Sequence, residues 1–434
     1  MPYAALQLAG RSSGVVACHM RSGTILNVVR TTIRMLVIRP GDPPSERALS
    51  AVALIFLING IVLASWVSRI PAITNRHGLG KGEVGTLLMV IAVGAIVSFA
   101  IAGTGINRKG SALTTIVFGS LFAVSLAMVG LAPSVWLLVP ALMLFGAGNG
   151  GMDVAMNAQG VEVEQTLGRS VINSLHGFFS LGGVVGAGIG ALAAGLGVSP
   201  SLHLPAVSIL AVAGLLRLRG HLLSDSHAGE AETEEPAFAL PPRAMWTLGV
   251  IAFCSAIAEG AMADWSALYL DDHLATGGGV AALGFAAFSF AMLVGRFAGD
   301  GLVDRFGSVL MVRTGATISS VGLALGLLID TTAVMIAAFA LVGLGVSVLF
   351  PLVFKAAANV PGVSRGRAVA SVATIGYTGF LVGPPVLGWL AVPTSLRVSL
   401  VIVVALCATV ALLAPATGRS QASRASHHQP APAD

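Results

Sequence analysis

Charge is scarce in this chain: Asp, Glu, Lys and Arg make up 10% of its 434 residues, against 55% hydrophobic residues. A soluble domain carries about a quarter charged residues, and the mean hydropathy of +0.89 points to apolar surface that faces lipid. Lysine is scarcer still, with only Lys81, Lys109 and Lys355 against 21 Arg. That bias, with abundant Ala and Gly, points to a GC-rich bacterial gene. The basic residues stand singly between apolar runs, so the net charge of +5 makes no stripe for nucleic acid. The three cysteines, Cys18, Cys254 and Cys407, have no metal or redox spacing, and the latter two are expected simply to pack. No HExxH, GxSxG or Walker A motif occurs, which speaks against an enzyme. Gly146-x-Gly148-x-x-Gly151 spells a dinucleotide fingerprint, but no strand surrounds it and helix packing explains its glycines better. No cofactor and no metal are expected.

Twelve apolar segments are present instead: 48–68, 84–103, 111–131, 135–158, 171–195, 201–218, 244–268, 279–301, 308–329, 332–355, 368–391 and 396–415. Each is long enough to cross a bilayer as a helix of about 20 residues. The expected fold is therefore all-α, a polytopic membrane protein of twelve spans. Four Glu and three Pro in 219–243 mark a linker that divides the spans six and six,. The expected organisation is a tail 1–47 (or an over-early start), a half 48–218, the linker 219–243, a half 244–415 and a tail 416–434. Twenty Lys and Arg fall on the linker side and four on the other; without the first tail the ratio is 14 to 4. The positive-inside rule then puts both termini and the linker in the cytoplasm, with the chain in a bacterial inner membrane.

The halves repeat. Gly103-x-x-x-Asn107-Arg108-x-Gly110 follows span two, and Asp300-x-x-x-Asp304-Arg305-x-Gly307 follows span eight, 197 residues later. Gly146-x-Gly148 recurs as Gly343-x-Gly345 at the same offset, and Gly168-Arg169 as Gly366-Arg367 at 198. Paired six-helix halves are a transporter architecture. Span four carries Asn149, Asp153 and Asn157 on one helical face amid glycines,. An acid there is costly unless it faces a bundle interior, where it serves a pathway or ties helices together.

These motifs resemble the major facilitator superfamily, whose cytoplasmic signature is the G-x-x-x-D-R-x-G loop. Here Asn107 replaces the acid of the first copy and Asp300 the leading glycine of the second. The resemblance implies two rocking halves, with Asn107, Arg108, Asp300, Asp304 and Arg305 helping to close the cytoplasmic side. Asn59-Gly60 with Ala64 to Pro71, Asp153-x-x-x-Asn157-Ala158-Gln159, His176-Gly177-x-x-Ser180-Leu181-Gly182-Gly183 and Glu259 to Ser266 look most like the fucose-permease-like branch. That resemblance implies proton coupling and solute binding at Asp153 and Asn157. Asn59 stands where the sugar symporter has an acid on span one.

The expected pathway residues are Asp153, Asn157, Asn149, His176, Glu259 and Asn59. Asn149, Asp153 and Asn157 match Ser180, His176 and Asn173 of span five rung for rung, so Asp153 and His176 are expected to share a proton. Asp264 lies about 140° around span seven from Glu259 and is placed near the outer surface, with Trp265 and Tyr269 as interface anchors. Arg69 is read as a solvated cap, Trp66 as a stacking or packing residue, Lys355 as snorkelling, and Arg296 as paired with Asp300. The expected partners are a small polar solute, protons and the lipid bilayer, the expected state a monomer, and the expected activity proton-coupled transport. A drug or metabolite exporter is the alternative, and a membrane sensor or enzyme the rival of another class.

Overall fold

The computed structural model describes residues 37–39, 41–169, 171–223, 245–360, 363 and 365–418. The N-terminal tail to 36, linker residues 224–244 and the tail from 419 lie outside the described residues. With no water to pair the backbone inside a bilayer, each segment must satisfy its own amides, and each does so as helix. In the first half the spans are Pro44–His77, Lys81–Lys109, Ser111–Leu131, Val135–Leu167, Ile172–Gly195 and Pro200–Leu218. In the second they are Trp246–Leu268, Gly278–Phe306, Ser308–Ile329, Thr332–Ala357, Arg365–Ala391 and Leu396–Leu413. Among the described residues eleven of these are long and apolar enough to cross a membrane. Span eleven has the length, 27 residues, with Tyr377, Thr378, Pro384 and Pro385 lowering its hydropathy.

Three spans differ in outline from the sequence reading. Span one continues past residue 68 as a second helix, Ile70–His77, with Pro71 in its first turn, where proline is tolerated because no amide is needed. Span ten breaks between Val346 and Leu349. Span seven ends in a π turn, Tyr269–His273. Span six is followed by a 3-10 turn, Arg219–His221. Buried Gln159 ties the chain beyond it to span four, donating to the Leu223 carbonyl at 3.0 Å and to Ser111 Oγ at 2.7 Å.

The repeat extends to the packing. Lys81 and Gly278, Ser111 and Ser308, and Val135 and Thr332 each begin a helix 197 residues apart. Gly110 and Gly307 make the same turn at φ 88° and 80°, which suits glycine alone. Gly146 lies against the carbonyl of Ile91, and Gly343 against that of Phe288, again 197 residues on. One related pair is exchanged: Gly150 packs on Ser98 in the first half, whereas Gly295 packs on Ser347 in the second.

The halves meet closely at the end away from the linker. Lys81 of the first half pairs with Asp272 of the second at 2.9 Å, and Trp389 Nε1 donates to Thr86 Oγ1 at 3.3 Å. A Cβ on Gly85 would sit 2.9 Å from the Pro384 carbonyl, so the helices touch backbone to backbone. Trp136, Trp246 and Trp389 are exposed near helix ends, where indole rings anchor a bilayer interface. Trp265 and Tyr269, expected to do this, are fully buried. Span seven is packed inside the bundle at these two residues, so neither ring reaches the surface.

Asp330, in left-handed conformation at φ 53°, gathers three elements. It accepts from Tyr269 Oη at 2.5 Å and pairs with His273 at 2.9 Å and Arg397 at 3.2 Å. Burial alone would raise its carboxyl, but the hydrogen bonds from Tyr269 and His273 and the neighbouring positive charges outweigh it and hold Asp330 below its ordinary value. A depressed carboxylate stabilises the fold above its unfolded pKa and loses that contribution as pH falls through the folded one. Asp330→Asn tolerates the same backbone and should cost about 2 kcal/mol at neutral pH. Thermal unfolding in detergent should show the gap from the native protein closing below about pH 4. A gap that is constant with pH would refute the charge-based account.

Candidate functional site

The glycines of span four decide where its polar face points. Gly146 and Gly150 press on span two, and Gly148 and Gly151 on Phe122 and Phe118 of span three. Asn149 and Asp153 are left facing the junction between the halves, where both line a cavity. Asn157 does not line it. Its amide donates to Asp153 Oδ1 at 3.2 Å and to the Asp153 carbonyl at 2.8 Å, which fixes the carboxylate's orientation. Asn59 likewise stands behind the wall, with its amide 3.3 Å from both Asn149 Oδ1 and Met152 Sδ.

The cavity has two lobes. One of about 310 Å³ is lined toward the closed end by Trp66, Phe145, Asp264 and Pro384. The other, about 430 Å³, lies toward the linker end and reaches Ile172, Val303 and Phe354. Asp153, Phe179, Glu259, Tyr377 and Phe380 line both and form the neck between them. The neck thus carries one carboxylate from each half. Glu259 pairs with Arg296 of span eight at 3.7 Å, and Arg296 also donates to Ser180 Oγ of span five at 2.7 Å.

That placement adds to the local reading of Arg296, which paired it with Asp300. Its side chain turns across the bundle to Glu259 and Ser180 and holds spans five, seven and eight together at the cavity. The Asp300 side chain lies outside the described residues. His176 lines the linker-side lobe with Asp153, Glu259 and Arg296. It meets Phe56 edge-on at 5.3 Å and makes no direct bond to Asp153. The reason is topological: span five packs on spans one and eight rather than on span four. The third expected rung, Asn173, has a side chain outside the described residues.

Asp264 does line the cavity, contrary to the expectation from its angle. Gly260 and Ala263 between the two acids are small enough to leave a 140°-wide arc of span seven open, about 100° per residue. Arg69 is buried rather than solvated, donates to the Val198 carbonyl, and has Nε and Nη1 without a partner among the described residues. The extra helix after it carries the true rim further on. Lys355 is exposed, as expected for a snorkelling residue. Cys254 and Cys407 are buried free thiols. Asn107, Arg108, Asp304 and Arg305 are exposed at the linker end, with Arg305 over the Phe306 ring at 5.2 Å. Tyr377 was missed by sequence reasoning, although a tyrosine in mid-span, in a chain with only three, was a signal.

Two six-helix halves enclosing a polar neck at their junction define a membrane transporter rather than an enzyme. Residues 248–433 match the family model of the Major Facilitator Superfamily. The chain is 37% identical over 364 residues to the uncharacterized transporter y4wD of Sinorhizobium fredii, spanning 84% of this chain and 96% of the relative. It is 34% identical over 389 residues to an uncharacterized MFS-type transporter of Yersinia pestis, spanning 90% and 100%. Among solved structures it is similar to the nucleoside transporter NupG, with a TM-score of 0.66 at 12% identity over 85% of this chain and 98% of that one. The chain belongs to the major facilitator superfamily.

Proposed function

We propose that the protein moves a small polar solute by alternating access and couples that movement to protons, as its resemblance to the fucose-permease-like branch implies. The observation that carries this reading is the neck, where Asp153 of one half and Glu259 of the other line both lobes. A carboxylate reachable from either lobe can take a proton on one side and release it on the other. Glu259 with Arg296 forms a pair that proton or solute binding can open. The Lys81–Asp272 contact and the lobe toward the linker suit a state open at the linker end. In that state Asn107, Arg108, Asp304 and Arg305 are exposed at the linker end, available to close the path when the halves rock. The protein acts as a monomer, since each half finds its partner within the chain. Purified protein in liposomes tests this reading: an imposed pH gradient should drive solute above its equilibrium level, and binding without flux would indicate a sensor.

Both termini belong in the cytoplasm of a bacterium on the charge count. An impermeant thiol reagent on intact cells should modify Ser134→Cys and spare Lys109→Cys; the reverse pattern would invert the topology. The wild-type cysteines are buried or lie outside the described residues, so a Cys-free background is the proper control. Ser226 in the linker, a further reporter position, is outside the described residues.

One observation favours export as a second reading. Eight aromatic side chains line the closed-end lobe, a wall suited to a solute with an apolar face. Uptake into right-side-out against everted vesicles separates import from export.

A further inference from the structure

We propose that the solute is a small organic cation, an amine on a compact body, and that Asp264 is one of the residues that bind it. The inference deepens the transporter reading and rests on it. Three carboxylates line the closed-end lobe, those of Asp153, Glu259 and Asp264, and no Lys, Arg or His does among the described residues. Glu259 already has the Arg296 guanidinium at 3.7 Å, reached through the other lobe. Asp153 has only a neutral partner, the Asn157 amide at 3.2 Å. Asp264 makes no hydrogen bond or ion pair at all among the described residues.

A carboxylate facing an apolar cavity is costly until something positive or a donor meets it. Among the described residues the protein supplies neither for Asp264, which leaves a proton or the solute to do so. The walls agree with the charge. Aromatic faces carry negative electrostatic potential and attract ammonium groups when desolvated, and Trp66, Phe285, Phe288 and Tyr377 are among the eight rings that line this lobe. An anionic solute would meet like charge on both halves, and a neutral polyol would bring hydroxyl donors to Asp264 but no opposite charge. The lobe's volume, about 310 Å³, suits a compact molecule rather than a peptide or a lipid. A proton and an ammonium group compete for the same carboxylate oxygens, so amine binding should weaken as pH falls.

The test measures binding to the purified full-length protein by thermal stabilisation, with probes matched in shape. Glucosamine is compared with glucose and gluconate, and benzylamine with benzyl alcohol and benzoate. At least one amine should bind roughly tenfold or more tighter than its neutral and anionic counterparts, and its affinity should fall by at least about tenfold from pH 8 to pH 5. Asp264→Asn should remove that preference while Asp264→Glu restores part of it, both checked for an unchanged unfolding midpoint without ligand. The wild-type pH series needs no variant, so the idea stays testable if a substitution fails to fold. Equal binding of amine and neutral probes, tighter binding of the acids, or no amine binding at millimolar concentration would overturn the cation inference. Gradient-driven accumulation of a neutral solute would overturn it too and leave the transporter reading standing. Amine binding without any flux would do the opposite.

Discussion

Asp153→Asn is expected to abolish gradient-driven accumulation while leaving exchange of solute across the membrane intact. With one proton coupled per solute, each pH unit of gradient is worth about tenfold accumulation, so the variant should fall to simple equilibration. Asparagine keeps the side chain's shape and can still bond Asn157, but it carries no ionisable proton. The position matters because Asp153 lines both lobes and can therefore load from one side and unload to the other. Counterflow and proton-driven uptake, measured in the same liposomes, check the split, and His176→Gln in parallel asks whether the histidine of the linker-side lobe shares the role. Full accumulation by both variants would reduce this polar face to helix packing. Glu259→Gln is a less clean probe. It also strips the counter-charge from Arg296, and an uncompensated guanidinium in the bundle costs stability as well as coupling.

Gly146→Val should prevent accumulation of folded protein, and Gly343→Val should do the same in the other half. A Cβ at either site would overlap a backbone carbonyl on the neighbouring span, Ile91 or Phe288. Backbone cannot swing aside like a side chain, so the helices must separate; overpacking of this kind costs about 3 kcal/mol or more. Gly103→Ala is the matched control. Nothing lies within 4 Å of its Cβ position, and the exchange should gain roughly 0.5–1 kcal/mol of helix propensity. The monodisperse fraction after detergent extraction reads all three. A folded Gly146→Val would mean that spans two and four are not in backbone contact.

The twelve spans were legible because lipid leaves the chain one solution per apolar segment, and the 197-residue repeat was legible because backbone contacts demand glycine at fixed positions. The span-four stripe was found for the same reason: an acid among glycines has few places to face. What escaped were relations across the bundle. Arg296 offers an i, i+4 acid along its own helix, and nothing local reveals that it also reaches Glu259 and Ser180 on other spans. Asp264 was misplaced by treating a helix face as narrow, when glycine and alanine beside it leave a wide arc open. Arg69 was misjudged because span one was taken to end at residue 68, whereas a second helix with Pro71 in its first turn carries the chain on to His77. Spans four and five were paired because they are consecutive, although the fold inserts span one between span five and the rest of its half.

The pair that joins the halves at the closed end has a consequence for conditions outside the protein. Lys81 and Asp272 lie 2.9 Å apart with side chains 38% and 50% exposed, so dissolved ions reach both. Such a pair is worth at most about 1 kcal/mol, and mobile salt at 0.15 M already screens charges beyond about 8 Å. Between two conformations of similar energy, about 1 kcal/mol is a roughly fivefold change in population. Because the two groups lie well within that screening length, only high salt would loosen this contact, and the balance between two such conformations would then shift by at most that factor.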